Sequence, residues 1–204
     1  MSNSNLMRAS GLSLLVAGVA NALFWLLVIP IGTFVGAAAS LHPLWMPSQL
    51  LHTLAALLAL FGLVGLYSRL EHGNGWLGLI GFILALFGTG FYLADALIAL
   101  VIFPMAAVGA PSLITASGAL NTSPMYIVFA ATFMVGYILF GIAMLGENSL
   151  PRAATVLLIV GAILSNLPPG LLPMFVLIVG GVAWGIGALW LGYALAWAKD
   201  DKTT

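Results

Sequence analysis

The sequence predicts an all-α fold, a polytopic membrane helix bundle with six transmembrane helices and both termini in the cytoplasm. Its 204 residues are 63% hydrophobic and 5% charged, whereas soluble domains carry about 25% charged residues. Too few polar side chains exist to cover a water-exposed surface, so the bilayer must be the solvent for most of the exterior. With six crossings all basic residues fall on one side, which the positive-inside rule assigns to the cytoplasm; they are Arg8, Arg69, Arg152, Lys199 and Lys202.

Six apolar stretches supply these helices in chain order. A cytoplasmic segment, 1–10, is expected to precede the first span, whose apolar run is too long for a cleaved signal peptide. Pro30 and Gly32 interrupt that span, and glycines and alanines in the second span suit close approach between helices. The bundle is predicted to cover 11–198, with spans at 11–39, 48–70, 75–104, 124–145, 151–168 and 171–198, followed by a cytoplasmic tail at 199–204.

Prolines mark the boundaries of the later spans. The third span is expected to end at Pro104, and the uncharged connection 105–123 is consistent with an interfacial helix, a re-entrant segment or an ordered outer loop. Pro151 is well placed at a helix start, and the sequence Pro-Pro-Gly at 168–170 stops the same helix.

Composition and motifs exclude several kinds of chemistry. The chain has no cysteine, so disulfides, thiolate metal sites and cysteine nucleophiles are excluded. Its formal net charge is zero, which leaves no basic surface for nucleic acid. No HExxH spacing, Walker A sequence or G-x-S-x-G sequence occurs, and no dinucleotide-binding glycine motif follows a strand. Because the sequence has no metal-binding or nucleotide-binding motif, it does not indicate a cofactor. It identifies no catalytic residue either.

Asp95 is the one charged residue of the third span, 75–104. An ionised carboxylate near mid-membrane costs several kcal/mol, so such residues face a bundle interior or a wet cavity. Its helical neighbours include Gly88, Phe91 and Tyr92, which form a small and aromatic face. Two interpretations stay open. The residue is a proton, cation or ligand site, or it is a neutral carboxyl that hydrogen-bonds to a neighbouring helix.

His52, on the preceding span, is the natural partner candidate for Asp95. Counted from the outer ends of their spans, the depths of the two residues differ by roughly 6 Å, and a direct pair would fix the imidazole tautomer. The alternative is a structural, hydrogen-bonded histidine. Other polar side chains lean toward the same outer side and could line a pocket between helices: Gln49, Tyr92, Tyr126, Ser165 and Asn166, with His42 and Trp45 in the loop. Asn21 lies nearer the middle of the first span and is expected to cap a backbone gap or to bond across helices.

Three long segments carry a resemblance to a known group of proteins. They are LLALFGLVGLYSRL with GWLGLIGFILALFGTG, then FGIAMLGENSLPRAATVLLIVGAIL, and then VGGVAWGIGALWLGYAL. With this layout the chain resembles uncharacterised six-span bacterial integral membrane proteins. The resemblance implies six spans and a prokaryotic cell membrane, that is, an inner membrane. It brings no activity to any residue.

Three classes of function remain. The first is a non-catalytic membrane protein, either an accessory subunit of a larger membrane complex or a binder of a small lipid-like or quinone-like molecule in an outer-side pocket. The second is a small proton-coupled transporter that uses Asp95 and His52. The third is an intramembrane enzyme, which would need another reactive group at the depth of Asp95. The expected partners are the lipid bilayer and other proteins within the membrane, and not nucleic acid.

Overall fold

The computed structural model describes residues 3–31, 37–70, 75–112, 124–147, 149–168 and 171–197. This part of the chain is all-helical and forms a membrane-type bundle. Its seven helices are α1 (Asn3–Ile31), α2 (Ala37–Ser40), α3 (Trp45–Arg69), α4 (Gly75–Gly109), α5 (Pro124–Leu145), α6 (Arg152–Leu164) and α7 (Met174–Ala196).

Five of these helices, α1, α3, α4, α5 and α7, are long and apolar enough to cross a membrane. The remaining long element, α6, has 13 residues and measures about 20 Å at a rise of 1.5 Å per residue. A tighter turn follows it, because the amide of Asn166 donates to the carbonyl of Ile163 at 3.2 Å. Apart from the bonds lost at Pro30 of α1 and at Pro104 of α4, a span-length helix satisfies its main-chain hydrogen bonds within itself, which a chain inside hydrocarbon requires.

The helix bounds differ from the predicted spans at several ends. Helix α1 begins at Asn3, so most of the predicted N-terminal segment is helical and Ser10 is buried. Helix α4 continues through Pro104 to Gly109, because a proline removes only one main-chain hydrogen bond and membrane helices tolerate this loss. Most of the predicted connection 105–123 and the predicted tail 199–204 lie outside the described residues.

The outer surface of the bundle is apolar. On α1 the exposed large side chains recur every three or four residues and form one stripe, and α3 carries a similar stripe. The stripes are Leu12, Val16, Val19, Leu23, Leu26 and Ile29 on α1, and Leu50, Leu54, Leu57, Phe61 and Val64 on α3. Such continuous apolar faces fit contact with lipid acyl chains rather than with water.

Neighbouring helices run antiparallel. Along α1 and α7, Gly11 faces Gly192 while Gly18 faces Gly185. The same reversed order relates α1 to α3, α4 to α5 and α6 to α7 through their glycine contacts. Between α3 and α4, Tyr67 stacks on Phe82 with 4.4 Å between ring centroids, and His52 meets Tyr92. Consequently Arg8, Arg69 and Arg152 all lie at one end of the bundle, which we call the arginine end.

Glycine contacts hold the helices together. Gly88 of α4 lies against the main chain of Phe133, and Gly161 of α6 lies against the main chain of Trp184. Helix α7 is packed from two sides, since Gly185 and Gly192 face α1 while Gly180 and Gly187 face α6. In membranes, small residues allow main chains to approach closely, and van der Waals packing then supplies much of the stability.

We predict that Gly88→Ala destabilises the protein by about 1–3 kcal/mol, the usual cost of overpacking a tight contact. A methyl group at Gly88 would collide with main-chain atoms of Phe133, whereas Gly90 of the same helix has no atom within 4 Å of such a group. Unfolding by sodium dodecyl sulfate in mixed micelles measures the change, with Gly90→Ala as the matched control. Equal destabilisation by both substitutions would contradict the packing described here.

Candidate functional site

A cavity of about 430 Å³ lies between the helices at the end of the bundle opposite the arginines. Side chains of α1, α3, α4, α5 and α7 contribute to it, together with the segment that follows α6. Its walls are largely aromatic and its polar groups are few. The lining residues are Phe24, Trp25, His52, Phe91, Tyr92, Asp95, Tyr126, Phe129, Ala130, Ser165, Asn166, Leu167, Leu172, Met174 and Leu177.

The cavity begins where the glycine contacts stop. On α4, the interhelical contacts at Gly81 and Gly88 lie on the arginine side of Phe91, the first cavity residue of that helix. On α5, the contact at Gly136 lies on the arginine side of Phe129 and Ala130 in the same way. Large side chains then separate the helices, and the rings of Phe91 and Phe129 stack across the α4–α5 interface at 3.9 Å.

The floor of the cavity is a buried aromatic cluster that includes His52. The imidazole stacks on the ring of Phe24 with 4.2 Å between centroids, and its edge meets Tyr92 at 5.2 Å. The cluster continues from Tyr92 to Phe133 at 4.8 Å. His52 is only 5% exposed, so its orientation is set by packing against rings on α1 and α4.

Asp95 lies at the rim of the same cavity and is exposed, unlike the buried floor. Tyr92 and Tyr126 both interact electrostatically with its carboxyl group. Within the described residues no ion pair joins Asp95 to His52, because the imidazole is held among rings at the floor. The structure therefore brings both predicted residues to one cavity without the direct pair considered from the sequence.

Two buried polar atoms among the cavity residues have no hydrogen-bond partner within the described ranges. One is Nε2 of His52 and the other is Oδ1 of Asn166. The amide nitrogen of Asn166 is already used, since it donates to the carbonyl of Ala162 at 3.0 Å and to the hydroxyl of Ser165 at 3.1 Å. Buried polar atoms without a partner are rare and are often satisfied by water or a ligand.

Two smaller spaces adjoin the cavity. One, of about 20 Å³, lies deeper and shares Trp25, His52 and Tyr92 with it; this volume is large enough for about one water molecule. The other, of about 200 Å³, is an apolar groove along α5 that shares Tyr126, Ala130 and Asn166 with the cavity. The groove therefore connects the cavity to the outer, apolar surface of α5.

Some predicted pocket residues have other roles. Asn21 donates from Nδ2 to the carbonyl of Gly181 at 2.8 Å and so bonds across helices, one of the two roles expected for it. Gln49 is buried but does not line the cavity. Trp45 donates from its indole nitrogen to the carbonyl of Ala99 on α4, at 2.9 Å. In the loop, Nδ1 of His42 accepts from the amide of Leu44.

Sequence reasoning missed the aromatic walls of the cavity. The sequence predicts no role for Phe24, Trp25 or Phe129, and it indicates Phe91 only as a helical neighbour of Asp95. The one signal in the sequence is spacing, because Phe91 and Asp95 lie four residues apart and therefore share a helix face. No comparable signal identifies Phe24 or Phe129, which reach the site from α1 and α5.

The cavity brings a small set of polar groups together. It offers one carboxyl group, one imidazole, two phenols, an amide, a hydroxyl and an indole N–H, and among the described residues no three His, Cys, Asp or Glu side chains lie close enough to hold a metal ion. Comparison with protein-family models, curated proteins and solved structures gives no match.

Proposed function

We propose that this chain is a non-catalytic, multi-pass membrane protein that binds a small hydrophobic, lipid-like or quinone-like ligand in the cavity between its helices. The cavity of about 430 Å³ carries the proposal. Ligand sites are commonly apolar clefts of about 300–1,000 Å³ with a few convergent polar groups. Rings provide apolar contact area, and Tyr92, Asp95, Tyr126 and Asn166 provide the polar groups. The α5 groove would let a membrane-dissolved ligand enter sideways.

We also propose that the chain crosses the membrane six times, with α6 and the turn after it as the fifth crossing. Two observations support this. Adjacent helices run antiparallel, and Arg8, Arg69 and Arg152 share one end. An arginine-rich end is expected on the cytoplasmic side, which puts both termini in the cytoplasm and the cavity at the outer side of a prokaryotic inner membrane.

A proton-coupled transporter is the second candidate. The observation that favours it is the placement of Asp95 and His52 at one cavity without an ion pair between them. Intramembrane carboxyl and imidazole groups form the proton relays of many pumps and transporters. Against it, the described residues place one acidic side chain at the cavity and contain no obvious pair of broken helices in two related halves.

Two other classes of function differ in how well they agree with the proposed ligand binding: an accessory subunit and an intramembrane enzyme. The exposed apolar stripes of α1 and α3 could bind another membrane protein as readily as lipid, so a larger complex is compatible with ligand binding. An enzyme would need a reactive group beside Asp95 in addition to the imidazole at the floor, and we assign no catalytic role to any residue.

The ligand-binding proposal predicts that a hydrophobic compound copurifies with the protein. We expect native mass spectrometry, or solvent extraction with liquid chromatography and mass spectrometry, to detect it in the wild type. Ala130→Phe should reduce its occupancy severalfold, because Ala130 lines the cavity and the added ring would occupy it. Ala94→Phe on the exposed face of α4 is the matched control and should retain the compound. Equal occupancy in the two variants would count against this cavity.

The topology proposal predicts side-specific labelling of single cysteines, which the natural chain lacks. Asn5→Cys and Ser149→Cys should react with a membrane-impermeant maleimide only in inverted vesicles. Pro43→Cys and Leu171→Cys should react in intact cells. All four positions are exposed. Labelling of Ser149→Cys from outside the cell would disprove the six-span arrangement.

The transporter alternative predicts that Asp95→Asn abolishes flux of a proton-coupled substrate in proteoliposomes while the protein still inserts and folds. The neutral amide keeps the size of the carboxyl but cannot carry a proton. Thermal unfolding in neutral detergent serves as the folding control. Substrate uptake without any proton movement in the wild type would rule out this candidate and leave simple ligand binding.

A further inference from the structure

We infer that the cavity binds a lipophilic amine in its protonated, cationic form; this inference rests on the proposed ligand-binding function and narrows the ligand class. Three independent features of the site lead to it. They are an exposed carboxyl group without a charged partner in the described residues, an aromatic wall, and a buried amide oxygen beside the Tyr92 phenol.

The carboxyl group of Asp95 lacks a countercharge. In the described part of the chain, every arginine lies at the arginine end of the bundle, remote from the cavity. Membrane carboxylates normally pair with another group or face water. A ligand with a positive charge at the cavity rim would stabilise the ionised carboxylate and supply its countercharge, whereas a neutral ligand could not.

The aromatic walls also favour a cation. Phe91 and Tyr92 lie one turn before Asp95 on the same helix, and Phe129 stacks on Phe91. Trp25 and Tyr126 also line the wall. The faces of aromatic rings carry negative potential and attract organic cations, more strongly where the contact is shielded from water. The same rings provide apolar contact for the hydrocarbon part of the ligand, so one wall suits both halves of a lipophilic amine.

The buried oxygen distinguishes a protonated amine from other ligands. Oδ1 of Asn166 is a buried acceptor without a partner within hydrogen-bonding geometry in the described residues, and the phenol of Tyr92 lies beside the same side chain. A protonated amine carries N–H groups that can donate to the Asp95 carboxylate and to the oxygen of Tyr92, whose hydroxyl can in turn donate to Asn166. A quaternary ammonium has no N–H group, and a quinone brings only acceptors, so neither could donate to the carboxylate or to the phenol.

Two fluorescent probes of equal shape test the inference. They are 1-pyrenemethylammonium and its neutral carbon analogue 1-ethylpyrene, each small enough for the cavity. Binding to the purified full chain in a neutral maltoside detergent is measured by energy transfer from tryptophan to pyrene. We expect the wild type to bind the cation at least tenfold more tightly than the neutral probe, a difference of about 1.4 kcal/mol.

Variants assign the preference to the carboxyl group. Asp95→Asn should weaken binding of the cation at least tenfold and leave the neutral probe unchanged, which also shows that the variant is folded. Asp95→Glu should keep a preference for the cation. Glu147→Gln removes a carboxyl group that does not line the cavity and should leave both affinities unchanged.

Equal binding of the two probes by the wild type would overturn the amine inference and keep the proposed ligand-binding function. The same holds if Asp95→Asn retains the full preference for the cation. If neither probe binds and no compound copurifies, the proposed function fails as well. The two failures are therefore distinguishable.

Discussion

Close contact between helix main chains at glycine is the constraint on which this structure depends. Inside the bilayer the hydrophobic effect does not drive helices together, because lipid tails are as apolar as the side chains. Helices therefore associate through packing and through the few hydrogen bonds between them. Gly88 and Gly161 allow that packing because any side chain there would meet a neighbouring main chain. Helix α7 is the clearest case, since it receives α1 on one side and α6 on the other.

The cavity lies where this close packing between helices ends. Toward the arginine end, small residues bring the main chains together. Toward the other end, Phe24, Phe91 and Phe129 replace them and separate the helices. Space between packed helices usually weakens a bundle, because the side chains that line it lose contacts. Here the rings partly stack on one another, as Phe91 does on Phe129 at 3.9 Å, and this limits the loss while the space stays open.

Polar groups in the bundle divide into two kinds. Asn21 and Trp45 are used inside the structure, since each donates to a main-chain carbonyl of another helix. Four other buried polar atoms find no partner in the described residues: Oγ of Ser10, Nε1 of Trp184, Nε2 of His52 and Oδ1 of Asn166. The last two belong to residues that line the cavity, where the Asp95 carboxyl also has no countercharge among the described residues. Their meeting at one cavity is the physical basis for the proposal that it binds a ligand.

The sequence by itself determined the helical membrane class and the approximate bounds of the long helices, because each apolar span must satisfy its own main-chain hydrogen bonds inside lipid. It also singled out Asp95, His52, Tyr92, Tyr126 and Asn166, since polar residues in such spans are costly and therefore conspicuous. Only the tertiary structure decided how each helix is rotated about its axis. That rotation, set by glycine contacts with neighbours far away in the chain, moved Gln49 off the cavity, brought Phe24 and Phe129 into it, and separated the carboxyl of Asp95 from the imidazole of His52.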